Sequence, residues 1–401
     1  MDLMVTKISC KGLSNFQEGK LSIDFVASKR ALRDEVDEGV VTHLFGNVHK
    51  LNAIAFTGIN ATGKTTALTI LSELMDVLVD NGSLKPQMRI ADYFKDALDV
   101  ETHFFQRSTN KLFKLTSRIE KGKGGTLWFS NESLWSKPAT PAVSRVALFD
   151  YDGDPVMERN SVSDGFLKKE DSIFSSVLNT YDSFGRNAPG SKVCDLRGNT
   201  NRNHLSHLNF NLAIPFVKYL DSSVEDFRLD QEVSESSGSI VFSIKFANSD
   251  APVFVRFEDL GLYLSSGTIK GLNCLSSIAQ VFSTGGYLFV DEIENHLNKT
   301  IVINLIRLFA STVNANGATL VFSTHYSEIL DSMDRSDGIY LFEKKEKMLV
   351  RKFSDAAEKR DRKDKKRSDL ILSGVLNAAP SYRAYRDMVA ALKGWLNDLE
   401  A

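Results

Sequence analysis

Residues 58–66 read Gly58-Ile59-Asn60-Ala61-Thr62-Gly63-Lys64-Thr65-Thr66, and this stretch constrains the chain more than any other. A glycine, four residues, then Gly-Lys-Thr is the spacing of a P-loop. The backbone N–H groups of such a loop converge on phosphate oxygens without Cβ atoms in the way. The lysine adds a point charge near the β- and γ-phosphates, and the hydroxyl of Thr65 is suited to ligate Mg²⁺. The surroundings agree: Ile54, Ala55 and Phe56 read as a buried strand. After the loop, Leu68, Leu71, Met75 and Leu78 recur at helical spacing until Asn81-Gly82 offers a C-cap. A helix N-terminus aimed at phosphate is therefore expected at Gly63. A chance match to the four fixed positions occurs in roughly one chain in 70 of this length, before strand and helix are required.

Composition narrows little else. At 401 residues the chain is long enough for two or three lobes, and 42% hydrophobic with 25% charged residues is ordinary globular usage. A net charge of −2 gives no global electrostatic argument for nucleic acid or membrane. Cys10, Cys194 and Cys274 are too far apart for a metal spacing or a disulfide framework. No apolar run approaches the length of a membrane span and the N-terminus does not read as a signal peptide, so the cytoplasm is expected.

A second element carries chemistry. Gly286-Tyr287-Leu288-Phe289-Val290-Asp291-Glu292 is a buried-strand pattern that delivers two carboxylates at its end, where ligands sit in open parallel sheets. Many core strands end in an acidic pair; beside a P-loop the pair gains meaning. Asp291 would hold Mg²⁺ with Thr65, and Glu292 would polarise the attacking water, because phosphoryl transfer needs positioning and charge neutralisation more than covalent chemistry. Leu264-Ser265-Ser266-Gly267-Thr268 heads a helical pattern 26 residues before Asp291, counted from Ser265, and alone reads as an N-cap. His325, 33 residues after Glu292, ends the apolar run Leu320-Val321-Phe322-Ser323-Thr324.

The order P-loop, Ser-rich helix start, Asp-Glu and strand-end histidine resembles the ATP-binding-cassette ATPases. More narrowly it resembles the soluble branch with the SMC, RecF and OLD-type proteins. Within that branch, 291–297 is very close to the Walker B extension of OLD-type and abortive-infection ATPases without a fused Toprim domain. The resemblance covers roughly residues 1–85 and 255–345. It implies an α/β fold: an ABC-type ATPase head with a mixed sheet, an antiparallel β lobe and a helical or irregular insertion. It also implies ATP and Mg²⁺ as cofactors, His325 as the switch histidine, and a homodimer sandwiching two nucleotides. In that dimer Ser265, Ser266 and Gly267 would touch the nucleotide held by the other chain. Two features depart from the family. Its proline after Walker B is replaced by Leu297-Asn298-Lys299, and the nearest candidate for the Q-loop glutamine is Gln106.

The expected organisation is an N-terminal half of the head at 1–105 and a β lobe with an irregular insertion at 106–258. The C-terminal half of the head follows at 259–342, and a basic segment with an amphipathic helix at 343–401. Strand-like runs are read at 103–105, 112–119, 127–129 and 146–149, and a short helix around 174–178 within a Ser/Asn/Asp/Gly-rich stretch at 158–207. The run through Asp150-Tyr151-Asp152-Gly153-Asp154 resembles a haloacid-dehalogenase nucleophile loop, but an Asp-Gly turn between strands explains it more simply. Residues 343–369 hold twelve Lys/Arg against seven acids, which reads as a solvated segment or, alternatively, a nucleic-acid backbone contact. The stripe Tyr382, Tyr385, Val389, Leu392, Trp395 is expected to pack back on the head. Only 76 residues follow His325 and they contain no Asp-x-Asp pair of a Toprim nuclease. The resemblance therefore implies a sensor ATPase of an anti-phage system, with a phage-derived trigger and a separate toxin or nuclease effector. The alternative is an SMC/RecF-like ATPase clamping DNA in repair or chromosome maintenance.

Overall fold

The computed structural model describes residues 2–80, 82–162, 167–175, 192–199, 213–231, 234–235, 238–357, 366–373 and 382–400. Its centre is a six-stranded sheet. The strands are β5 (Ala53–Thr57), β10 (Val193–Asp195), β14 (Tyr287–Val290), β15 (Thr319–Thr324), β16 (Ile339–Lys344) and β17 (Met348–Lys352), in the order β10-β14-β15-β5-β16-β17. All neighbours are parallel except the β16–β17 edge pair. Both faces of this sheet are covered, which is why its central strands read as continuous apolar runs.

Side-chain alternation sorts the two faces. Ile54, Phe56, Tyr287, Phe289 and Val321 point to a core shared with α1 (Lys64–Val79) and with a large antiparallel sheet. Ala55, Leu288, Val290, Leu320 and Phe322 point to the opposite core, beneath α3 (Ser266–Thr284) and α4 (Lys299–Phe309). The antiparallel sheet runs β2-β1-β6-β7-β8-β9, with β1 (Leu3–Leu13), β2 (Lys20–Asp24), β6 (Phe94–Gln106), β7 (Lys111–Lys121), β8 (Leu127–Pro138) and β9 (Met157–Glu158). Two tyrosines of the parallel sheet rivet the layers. Tyr287 Oη accepts from Val5 N and Tyr340 Oη from Asp24 N, both at 2.8 Å.

A smaller antiparallel sheet, β11 (Val224–Leu229), β12 (Val241–Phe246) and β13 (Val253–Arg256), packs with α2 (Ala213–Leu220) against Ile269 and Leu272 of α3. The remaining pair, β3 (Val41–Phe45) and β4 (Val48–Leu51), is a hairpin leading into β5.

The mixed α/β fold with its antiparallel lobe agrees with the sequence reading; several details differ. The lobe draws strands from both sides of residue 105, because β6 pairs with β1 as well as with β7. The run at 146–149 is a 3-10 turn at Ala147–Phe149 rather than a strand. There Ser144 Oγ accepts from Ala147 N, and Lys137 Nζ donates to the carbonyls of Ala147 and Asp150. The helix expected at 174–178 lies mostly outside the described residues; Phe174 itself is buried, stacked on Phe104 at 4.2 Å. Asn81 and 358–365, which take in most of the densest basic run at 360–367, also lie outside them. The C-terminal stripe does not pack back. Tyr382, Tyr385, Leu392 and Trp395 of α5 (Tyr382–Glu400) are exposed, and the two tyrosines stack on each other.

Candidate functional site

Register places three strand ends together. Leu320 pairs with Ala53 and Thr324 with Thr57, while Tyr287 pairs with Thr319 and Val290 with Phe322. The residues that leave the carboxyl ends of β5, β14 and β15 are therefore Gly58, Asp291 and His325, brought to one edge of the sheet from three distant parts of the chain.

The loop after β5 is shaped by local sterics. At Gly58, φ is +147°, and a Cβ there would lie 2.2 Å from the carbonyl oxygen of Phe342 on the neighbouring strand, so no larger residue fits. Ala61 sits at φ +60°, a left-handed conformation that costs on the order of 1–3 kcal/mol for a non-glycine residue and turns successive N–H groups to one side. Thr62, fully buried, donates its hydroxyl to the Ile59 carbonyl at 2.8 Å and closes the turn. Gly63 then caps α1 with no side-chain capping bond, which leaves the first-turn N–H groups to a ligand rather than to the protein.

Lys64 lies across the loop. Its ammonium donates to the carbonyls of Gly58 at 2.8 Å and Ile59 at 3.0 Å, and stands 3.5 Å from His325 Nδ1. Burial pulls its pKa down to about 8, opposed by the nearby carboxylates Asp291, Glu292 and Glu294. Thr65 Oγ1 donates to Asp291 Oδ2 at 2.7 Å, and Ser323 Oγ donates to the other oxygen of Asp291. These are hard oxygen donors on a sheet edge, the set Mg²⁺ prefers. Loop, lysine and carboxylate together fit a Mg²⁺-bound triphosphate.

The Glu292 carboxylate is held on both sides. Asn295 Nδ2 donates to Oε2, and His325 Nε2 lies 3.3 Å from Oε1. Its main chain is unusual: φ is +45°, with Ser323 Oγ accepting from Glu292 N at 2.7 Å. Glu294 is buried, and its Oε1 accepts the backbone N–H of His325 at 2.7 Å.

Of the residues expected at the Ser-rich helix start, Ser265 is exposed and caps α3, its Oγ accepting from Thr268 N at 3.1 Å. Ser266 Oγ lies 3.5 Å from His296 Nδ1, and a Cβ on Gly267 would sit 2.5 Å from the His296 carbonyl. Ser266 and Gly267 thus meet the segment after Glu292, and among the described residues no hydrogen bond of Ser265, Ser266 or Gly267 reaches the loop at 58–66 of the same chain. Gln106 is not brought to the site. It lies at the far end of β6, its side chain accepting from Thr109 Oγ1 in the β6–β7 turn.

Several residues of the edge escaped sequence reasoning. β10 runs beside β14 with Asp195 opposite Phe289, so Asp195 and Arg197 lie at the carboxyl end of the strand that neighbours the one ending at Asp291. There Arg197 pairs with Asp195 and donates to Thr69 Oγ1 of α1. A three-residue strand amid Ser and Asn has no periodicity to announce it. Ser323, Glu294 and Asn295 stood in view inside or beside recognised motifs, but the partners of Ser323 and Glu294 depend on pairing of β14 with β15. The missing proline is explained too: Asn298 Oδ1 accepts from Thr300 N at 2.8 Å and caps α4 itself.

Over residues 53–331 the sequence matches the family described as "AAA domain, putative AbiEii toxin, Type IV TA system". No curated protein matches it. Among solved structures, the chain is similar to an SMC head, in the crystal structure of the SmcHead bound to the C-winged helix domain of ScpA. That likeness has a TM-score of 0.50 at 14% identity, covering 88% of this chain and 99% of the other. At that identity it is a likeness of fold.

Proposed function

The chain belongs to the AbiEii-type AAA-domain family, and from that premise we propose that it is an ATP-binding and ATP-hydrolysing switch of the ABC type. The observation that carries the reading is the convergence of the Lys64 loop, the Thr65–Asp291 pair at 2.7 Å and the Glu292–His325 pair at 3.3 Å. The amides of Gly58, Asn60, Ala61, Thr62, Gly63, Thr65 and Thr66 would cradle the triphosphate. Lys64 would exchange two loop carbonyls for phosphate oxygens. Thr65 and Asp291 would hold Mg²⁺, whose chemistry is to neutralise charge on the phosphates. Glu292, oriented by Asn295 and His325, would accept the proton of the attacking water, with His325 sensing the terminal phosphate. Ser265, Ser266 and Gly267 would complete the site of a second copy in a sandwich dimer.

Glu292→Gln tests the reading, since it keeps shape and removes the proton acceptor. ATP should still bind, while turnover falls by about 100-fold or more. Lys64→Ala should instead weaken nucleotide binding. Wild-type turnover in E292Q would remove Glu292 from this role.

At a finer level we read the switch as the regulatory ATPase of an anti-phage or abortive-infection system that controls a separately encoded toxin or nuclease. The AbiEii-type family description and the 291–297 motif support the abortive-infection setting, and the separate effector is our own addition to it. Phage protection should require co-expression with the neighbouring gene. Full protection from this chain alone would sink the effector model. ATP-dependent shifting of DNA in a gel would favour the DNA-clamping alternative.

A further inference from the structure

The helix that starts with Ser265 and Ser266 is bonded to the segment that carries Glu292, and the bond is made by a buried lysine. Lys270, one turn into α3, is 4% exposed and donates its ammonium to the main-chain carbonyl of Glu292 at 2.9 Å. Burying an ammonium against a main-chain carbonyl is costly, because a single neutral acceptor offsets only part of the lost hydration. Desolvation pulls its pKa down, opposed by Cys274, Glu294, Glu292 and Asp291. What it contacts is strained. Glu292 at φ +45° and His296 at φ +62° are both non-glycine residues in the left-handed region, and such conformations persist only when the surroundings over-determine them.

Two further contacts bind the same two segments: Gly267 lies against the His296 carbonyl, and Ser266 Oγ is 3.5 Å from His296 Nδ1. Glu294, between the strained residues, spends one carboxylate oxygen on His325 N, while its other oxygen is buried without a hydrogen-bond partner among the described residues. A shift of α3 along its axis would therefore move the backbone of Glu292 and, through Glu294, that of His325.

We propose that Lys270 is a positioning residue that sets Glu292 in its working conformation from the helix whose tip serves the opposite nucleotide. It rests on the ATPase reading above, and it adds that engagement of Ser265 at one site is transmitted within the chain to the general base of the other.

The experiment pairs Lys270→Met with Glu292→Gln in tagged heterodimers. Lys270 acts through its own chain's Glu292, so K270M and E292Q in the same chain should leave the partner's site whole, at about half of wild-type turnover. Placed in separate chains, the two changes should leave turnover several-fold below that half. The reverse order of activities would show that Lys270 acts only through the helix tip, and would overturn the proposal. An E292Q/wild-type heterodimer at about half activity is the control; if it or the E292Q homodimer is fully active, it is the ATPase reading that fails.

Without nucleotide, backbone amides of 291–297 should exchange faster in K270M while those of β5 and β15 stay protected. Unchanged exchange at 291–297 would also overturn the idea. If K270M does not fold, Lys270→Gln replaces it in the same heterodimers and the same exchange measurement.

Discussion

Lys50 is a residue whose cost is visible in its surroundings. It is fully buried, its ammonium donating to the Gly317 carbonyl and to Thr319 Oγ1 and lying 5.2 Å from the centre of the Tyr287 ring, with no carboxylate in contact among the described residues. Burial, with a smaller repulsion from Arg107, lowers its pKa from 10.5 to about 7. Between those values the unfolded chain binds a proton that the folded one does not, so stability rises with pH across that window and is lost as pH falls toward 7. Lys50→Met removes the titrating group. The stability of wild type relative to K50M should climb by about 1.4 kcal/mol per pH unit between about pH 7.5 and 9.5. Urea midpoints of both proteins at three pH values would show it, and parallel curves would place the Lys50 titration outside this range. Nothing in the sequence around Lys50 distinguishes it from a surface lysine. Its burial comes from β15, more than 260 positions away, and only the assembled sheet reveals it.

At the scale of elements, the legible parts were those whose own residues determine them. The loop at 58–66 carries its glycines where sterics demand them, and α3 announces its start by Ser265. The illegible parts depend on neighbours. The strand Val193–Asp195 exists because it lies against Tyr287–Phe289, and the conformation of Glu292 depends on contacts from Ser323 and Lys270. The departure at Leu297-Asn298-Lys299 looked like a weakness of the family resemblance, yet Asn298 performs a capping task of its own. Asn298→Ala should cost about 1 kcal/mol by exposing the first turn of α4, read from a denaturation midpoint. Since the cap bonds to Thr300 N of its own helix, the KM for ATP should stay at the wild-type value. A large rise in KM would mean that α4 also positions the nucleotide loop.

Across the whole molecule, the two halves of the proposed chemistry do not meet within one chain. Lys64, Asp291, Glu292 and His325 converge through direct bonds, whereas the exposed Ser265 side chain, among the described residues, bonds within its own helix turn to Thr268. Leu262 and Tyr263, just before it, are also exposed, so an apolar shoulder flanks the helix tip. A terminal phosphate held at the Lys64 loop needs donors on its open side, and a second copy turned by a two-fold axis would supply them twice over. This arrangement makes a definite prediction for mixtures. Lys64→Ala and Ser265→Arg should each abolish turnover alone. In a heterodimer of the two, both lesions fall in one composite site and the other site is intact. Random mixing gives half heterodimers, each with one undamaged site, so at most roughly a quarter of wild-type turnover should return, and the shortfall measures how far Glu292 of that site depends on the lost Ser265 of its own chain. A cis arrangement, with Ser265 acting on its own chain's nucleotide, leaves both sites broken in every combination. Mass spectrometry of the mixed sample would establish that heterodimers are present, and the absence of any recovery in such a sample would rule out assembly in trans.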